Sequence, residues 1–146
     1  MKGFDLVSMG RFPHNHFSYS SPSDINLVNQ IFSEMAIGYL SDKLIQECSD
    51  GELQLLCVAR AVVQSTPVML LDEITSHLDV RNTSQVMELL SKWVTTNSSC
   101  IIMATHDLHT VKKYSSKVLL FKEQELRLIS NVDQFSIGDL EQLILK

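Results

Sequence analysis

The apolar positions of this chain fall into two different rhythms. Ile25, Val28, Ile31, Phe32 and Met35 keep the i, i+3, i+4, i+7 spacing of one helix face. Ser23 or Asp24 can cap that helix, and Gly38 can stop it. A second helix is predicted from about Gly51 to Ser65, with Leu55, Leu56, Val58, Ala59 and Val62 as a broad apolar face. A third is predicted over Asn82–Val94, with Val86, Leu89, Leu90 and Trp93 on one side. Between and after these helices the rhythm shortens to runs with strand character: Val68–Leu71, Cys100–Ala104, Lys117–Lys122 and Glu125–Ser130, the last two suited to a hairpin. Asp107 can cap a helix through Tyr114, and a short helix is predicted after Ser136. Residues 1–10 suit a short helix or helix end, Arg11–Pro22 a loop, and Ser41–Glu47 a connector. A helical front third thus precedes an alternation of helices and strands, which predicts an α/β fold with a mainly parallel sheet.

Composition narrows the class. With 146 residues, 45% hydrophobic and 20% charged, the chain is long enough for one core, and a domain of this size buries about 68–70% of its unfolded surface. A formal net charge of −5 argues against nucleic acid as a partner, since such binders carry a basic stripe. No apolar run reaches the roughly 18 residues of a membrane span, and Met1–Gly10 lacks the layout of a signal peptide. Cys48, Cys57 and Cys100 are odd in number and lack metal-ligand spacing, so they read as thiols in a reducing, cytoplasmic compartment.

The chemistry concentrates at strand ends. Val68-Met-Leu-Leu runs straight into Asp72 and Glu73, and ligands of open α/β sheets bind at the carboxyl ends of strands. Two adjacent carboxylates there suit a Mg²⁺-nucleotide, one holding the metal shell and the next polarising a water; the plain alternative is a pair of solvated acids. His106 directly follows the next strand. If the two strands are neighbours, His106 and Glu73 open onto the same edge. Cys48-Ser-Asp-Gly-Glu-Leu-Gln54 opens the second helix. A Ser and a Gly there suit anion binding at the positive end of the dipole, or plain capping by Ser49 or Asp50. His14 and His16, without a carboxylate or cysteine partner, make a poor metal set. Lys112 and Lys113 read as a solvated helix end. No G-x-x-x-x-G-K-[ST] phosphate loop occurs in the chain.

Three of these segments, in this order and spacing, resemble an ABC-type ATPase domain over roughly residues 1–130. Cys48–Gln54 resembles the signature L-S-G-G-[QE]. Val68–Glu73 resembles Walker B, followed by a D-loop at Ser76-His-Leu-Asp79. Ala104-Thr-His-Asp107 resembles the switch-histidine loop. Val7-Ser-Met-Gly-Arg-Phe-Pro-His14 is similar to a segment of the helical subdomain in ATPases of iron-siderophore, haem and cobalamin importers, and this places Met1 inside the domain. The resemblance implies a partial P-loop NTPase fold: a helical subdomain portion at 1–50, the C-terminal part of the ATPase core at 51–130 and a helical tail at 131–146. It also implies ATP and Mg²⁺ as cofactors, with Asp72 at the metal, Glu73 as catalytic base and His106 at the γ-phosphate. Ser49 and Gly51 would meet the γ-phosphate of ATP held by an opposite subunit, with Glu52 and Gln54 in the same nucleotide-binding segment and Asp79 communicating across the dimer. The implied partners are a second ATPase subunit and membrane permease subunits, and the implied location is peripheral, at the inner face of the cell membrane.

The chain departs from the pattern in three ways. The Walker A loop, its preceding strands and the glutamine loop are absent from these residues. Asp50 replaces a signature glycine; a carboxylate 4 Å from a γ-phosphate is repelled by about 1–4 kcal/mol for effective dielectrics of 80 to 20, unless it turns away to cap the helix. Ile74 and Cys48 replace a proline and a leucine, both apolar exchanges. Without the central strands, Val68–Leu71 loses a neighbour and exposes apolar surface, so the chain alone is expected to be poorly stable or to associate, and to lack steady ATP hydrolysis. The competing reading is a catalytically inactive remnant or dimerisation module. An ABC-type ATPase of chromosome maintenance would need a long coiled coil, and no heptad run is present.

Overall fold

The computed structural model describes residues 1–14, 21–122 and 124–145. Two compact units follow one another along the chain, Met1–Met103 and Ala104–Lys146.

The first unit is built on helices α1 (Gly3–Ser8), α2 (Pro22–Glu34) and α3 (Asp50–Val63), which pack on one another, and α4 (Val80–Asn97), which packs on α3. The helix-periodic residues form its core, except Ile25 in the first turn of α2, which is exposed: Val28, Ile31, Phe32 and Met35 from α2 and its cap, Leu55, Leu56, Val58, Ala59, Val62 and Val63 from α3, and Val86, Leu89, Leu90 and Trp93 from α4 are all buried. Strand β1 (Val68–Asp72) pairs with β2 (Cys100–Ala104). The second unit holds α5 (Leu108–Tyr114), the antiparallel hairpin β3 (Val118–Lys122) and β4 (Glu125–Ile129), and α6 (Ile137–Leu145). Val111, Ile129, Val132 and Leu140 form its core, with Leu108, Val118, Leu120, Phe135 and Leu143 against them. The α/β class is as expected, with the strands among the described residues distributed over two two-stranded sheets.

Several boundaries differ from the sequence expectation, each for a local reason. Helix α2 begins at Pro22, because Ser21 is the cap: its hydroxyl accepts the Asp24 N–H at 3.2 Å, and the Asp24 carboxylate accepts the Ser21 N–H at 3.0 Å. Pro22 then sits in the first turn, where its missing N–H costs nothing. The helix ends at Glu34, and the reversal is made by Ala36 at φ 51°, not by Gly38, which opens a 3₁₀ turn over Gly38–Leu40. Helix α4 is longer than expected at both ends; Asp79 caps its start, and Ser98 at φ 50° closes it.

Part of the stretch read as a loop is regular. Met9–His14 is a 3₁₀ turn; Asn15 and His16 lie outside the described residues. A Cβ on Gly10 would overlap the Arg60 carbonyl oxygen, so only glycine lets this turn lie on α3. Arg11 continues the contact, with Nε on Asp24 Oδ1 at 2.7 Å and Nη1 on the Val63 carbonyl at 2.8 Å. His14 Nε2 lies 2.7 Å from the Gln64 carbonyl, so that nitrogen carries the proton. Lys112, read as solvated, donates to the carbonyls of Val132 and Asp133, both at 2.9 Å.

Candidate functional site

Ser49, Gly51, Glu52, Gln54, Asp72, Glu73 and Asp79 belong to the first unit, and His106 to the second.

The start of α3 is a reciprocal cap. Ser49, and not Asp50, is the cap residue: its hydroxyl accepts the Glu52 N–H at 3.3 Å, and its own N–H donates to Glu52 Oε2 at 2.8 Å. This Ser-x-x-Glu arrangement satisfies two of the donors that a helix start leaves over. Asp50 and Gly51 are the first two helical residues, so their N–H groups have no acceptor within the helix. Asp50 is exposed, and Gln54 is half-buried on the next turn. Lys43 holds both oxygens of Glu52, at 2.8 and 2.7 Å. The Lys43 ammonium, followed by the Ser49 N–H, holds the Glu52 carboxyl below its ordinary range, and Glu52 in turn raises the Lys43 pKa.

The second element is the turn from β1 into α4. Asp72 is the exposed last residue of β1. At Glu73 the chain enters the left-handed region, φ 47°, which costs a non-glycine residue about 1–2 kcal/mol. The turn is held by hydrogen bonds: the Glu73 carbonyl accepts the Ser76 hydroxyl at 2.8 Å and its N–H at 3.2 Å, and the Thr75 carbonyl accepts the Leu78 N–H at 3.1 Å. Ile74 and Thr75 are buried and anchor it. Asp79 ends it, accepting the Asn82 N–H at 2.7 Å.

These two elements touch. A Cβ on Gly51 would stand 2.8 Å from the His77 carbonyl oxygen, inside van der Waals contact. The start of α3 is therefore seated on the backbone of the 73–79 turn.

In the second unit, His106 is exposed between β2 and α5. Asp107 caps α5, accepting the His109 and Thr110 N–H groups at 3.0 and 3.2 Å and the Thr110 hydroxyl at 2.6 Å. The Thr110 hydroxyl is the leading reason its carboxyl lies below the ordinary range.

Among the described residues no group of three or more His, Cys, Asp or Glu side chains is placed to hold a metal. A single exposed carboxylate, Asp72, fits Mg²⁺ that arrives with a nucleotide: that ion keeps several waters and takes one or two carboxylates besides phosphate oxygens. His14 is engaged with the Gln64 carbonyl, and His16 lies outside the described residues. Lys43 and the His77 carbonyl were not legible as parts of the site. Lys43 has no periodic or motif signal, and the His77 carbonyl is a backbone group that the Ser76–Asp79 motif does not single out; both act through contacts with α3.

A family model described as "AAA domain, putative AbiEii toxin, Type IV TA system" matches residues 20–112. The chain is 32% identical over 123 residues to an uncharacterized ABC transporter ATP-binding protein of Methanocaldococcus jannaschii, covering 84% of this chain and 48% of that protein. It is 30% identical over 118 residues to the petrobactin import ATP-binding protein of Bacillus subtilis, covering 81% of this chain and 46% of that protein. Among solved structures, an inward-facing conformation of a "putative metal-chelate type ABC transporter" superposes with a TM-score of 0.82 at 27% identity, over 99% of this chain and 59% of that one. The chain belongs to this AAA-domain family, in the form taken by the ATP-binding subunits of ABC transporters. It spans about half the length of the curated relatives it matches.

Proposed function

We propose that this chain forms part of an ABC-type ATPase whose binding and hydrolysis of ATP drive import of an iron chelate, haem or cobalamin. The observation that carries the reading is the seating of Gly51 on His77. It joins the Ser49 turn to the 73–79 turn that follows Asp72 and Glu73, so the segment that resembles the signature and the one that resembles the D-loop form one body. The relatives named for petrobactin import and metal-chelate transport support the substrate class.

In this reading Asp72 supplies an oxygen to the Mg²⁺ shell, and Mg²⁺ when bound neutralises phosphate charge. Glu73 accepts the proton of the attacking water, and His106 hydrogen-bonds the γ-phosphate. The Ser49 hydroxyl, which already accepts from Glu52, keeps its hydrogen for a phosphate oxygen of ATP on an opposing subunit. The Asp50 and Gly51 N–H groups face the same way along the helix axis. Glu52 and Gln54 hold that segment, and Asp79 meets the opposing subunit. The partners are a second ATPase subunit and membrane permeases, and the location is peripheral at the inner face of the membrane. No helix among the described residues is long and apolar enough to cross a membrane.

These residues contain no glycine-rich phosphate loop, so a polypeptide carrying one must complete the site. Phosphate release should therefore be measured for this chain mixed with an ABC ATP-binding polypeptide that carries the loop but has its own signature serine replaced. Release above the sum of the parts, lost with Ser49→Ala, supports the reading; release indifferent to Ser49→Ala overturns it.

A further inference from the structure

Lys43 lies in the connector before α3 and is fixed at both ends. Its carbonyl accepts the Gly3 N–H at 3.0 Å, and its N–H donates to the Leu40 carbonyl at 3.3 Å. Its ammonium grips both oxygens of Glu52, and one of those, Oε2, is the oxygen that also accepts the Ser49 N–H. Lysine and serine thus share a single carboxylate oxygen. The nearby acid Asp42 is already paired with Lys2 at 2.7 Å, so Lys43 is the cation that balances Glu52. The first turn of α3 carries two carboxylates, Asp50 and Glu52, at a helix end whose dipole would otherwise favour an anion.

We propose that Lys43 is a positioning residue of the signature turn: it fixes Glu52 on the Ser49 N–H and cancels its charge, so that a phosphate can approach Ser49. This rests on the reading of Ser49 given above. Without Lys43, Glu52 becomes an uncompensated anion beside the incoming phosphate and the Ser49 backbone loses its fixed acceptor.

The test is association of the full chain with a loop-bearing ABC ATP-binding subunit, measured in the presence of Mg²⁺ and a non-hydrolysable ATP analogue. Lys43→Met should weaken nucleotide-dependent association about tenfold or more, while Lys43→Arg keeps it. The double substitution Lys43→Met with Glu52→Gln should recover most of it, because the stray charge is gone and an amide oxygen still accepts from Ser49. A merely structural lysine would show no such recovery. Thermal unfolding of each variant accompanies the binding, and Lys43→Gln replaces Lys43→Met if the latter does not fold. Wild-type association with Lys43→Met while Ser49→Ala is impaired overturns the role of Lys43 alone. No nucleotide-dependent association of the wild type, or none of the loss expected with Ser49→Ala, overturns the underlying reading instead.

Discussion

Gly51 and His77 are in backbone contact: a single added methyl at residue 51 would stand 2.8 Å from the His77 carbonyl oxygen. Two effects therefore oppose each other in Gly51→Ala. Alanine is favoured over glycine inside a helix by about 1 kcal/mol. The contact with a backbone oxygen cannot be relieved by rotating a side chain, and overpacking of this kind costs about 1–3 kcal/mol. The contact is expected to win, so urea unfolding of Gly51→Ala should show a lower midpoint, with amide shifts spreading from Gly51 to the 73–79 turn. A higher midpoint would mean that the two segments are not seated on one another.

Arg11 and Asp24 form the most buried ion pair among the described residues, with side chains 15% and 5% exposed. Arg11 also holds the Val63 carbonyl at the end of α3, while Asp24 belongs to the cap of α2. Removing one partner of a buried pair leaves the other charge without compensation, at about 3–5 kcal/mol. Arg11→Met should lower stability by that order in chemical denaturation. The double substitution with Asp24→Asn should cost less than the sum of the two single ones, and strict additivity would show that the charges do not interact.

How far these relationships could be read beforehand depends on their range. The helix faces of α2, α3 and α4 were legible because burial there follows sequence spacing, and the caps by Asp107 and by Ser49 or Asp50 were legible as short motifs. The choice of Ser49 over Asp50, the turn at Ala36 and the regular turn over Met9–His14 were not, since each is decided by a partner elsewhere: Glu52 with Lys43, the core under α2, and Arg60 with Val63. The carboxylates Asp72 and Glu73 were found from their place after a strand. That Glu73 adopts φ 47° was invisible, because only the anchoring of Ile74 and Thr75 and the Ser76 hydrogen bonds demand it. Met69 and Leu71 are buried while Val68 and Leu70 are exposed, an alternation that the continuous apolar run does not itself display.

Acid sensitivity should report on the depressed carboxylates, Glu52 and Asp107 among them. Glu52 and Asp107 both have folded pKa values below their ordinary ones, through Lys43 and Thr110 respectively. A depressed carboxylate contributes stability above its unfolded pKa and loses it as pH falls through the folded one. Unfolding midpoints should therefore be level near neutrality and fall below about pH 4, where ordinary carboxylates protonate. Thr110→Val removes the leading cause at Asp107 and should reduce stability at pH 6 more than at pH 3. An equal loss at both values would exclude ionisation of Asp107 as its origin.

Hydrolysis by the isolated chain is the next expectation. Asp72 and Glu73 supply carboxylates, but the sequence contains no glycine-rich loop to hold ATP beside them, and positioning is most of what phosphoryl transfer requires. Pure protein should release phosphate at background rate with or without Mg²⁺. Steady turnover that disappears in Glu73→Gln would show that these residues suffice as a catalytic site.

The last expectation concerns surface that the described residues leave uncovered. In the first unit Val68, Leu70 and Ile102 are exposed at 51%, 74% and 51%, on two strands that pair with each other. In the second unit the hairpin register sets Leu119 opposite Leu128 and Phe121 opposite Leu126, and all four are more than half exposed, while Val118 and Leu120 pack on the core. Sheet faces of this kind are aggregation sites unless another layer covers them. The chain alone should therefore self-associate at micromolar concentration in sedimentation velocity. Leu70→Lys and Phe121→Lys, each at an exposed position, should shift it toward monomer while changing the unfolding midpoint by less than about 0.5 kcal/mol equivalent. A wild-type chain that stays monomeric and unfolds in one cooperative transition would show that these faces are tolerated by water as they stand.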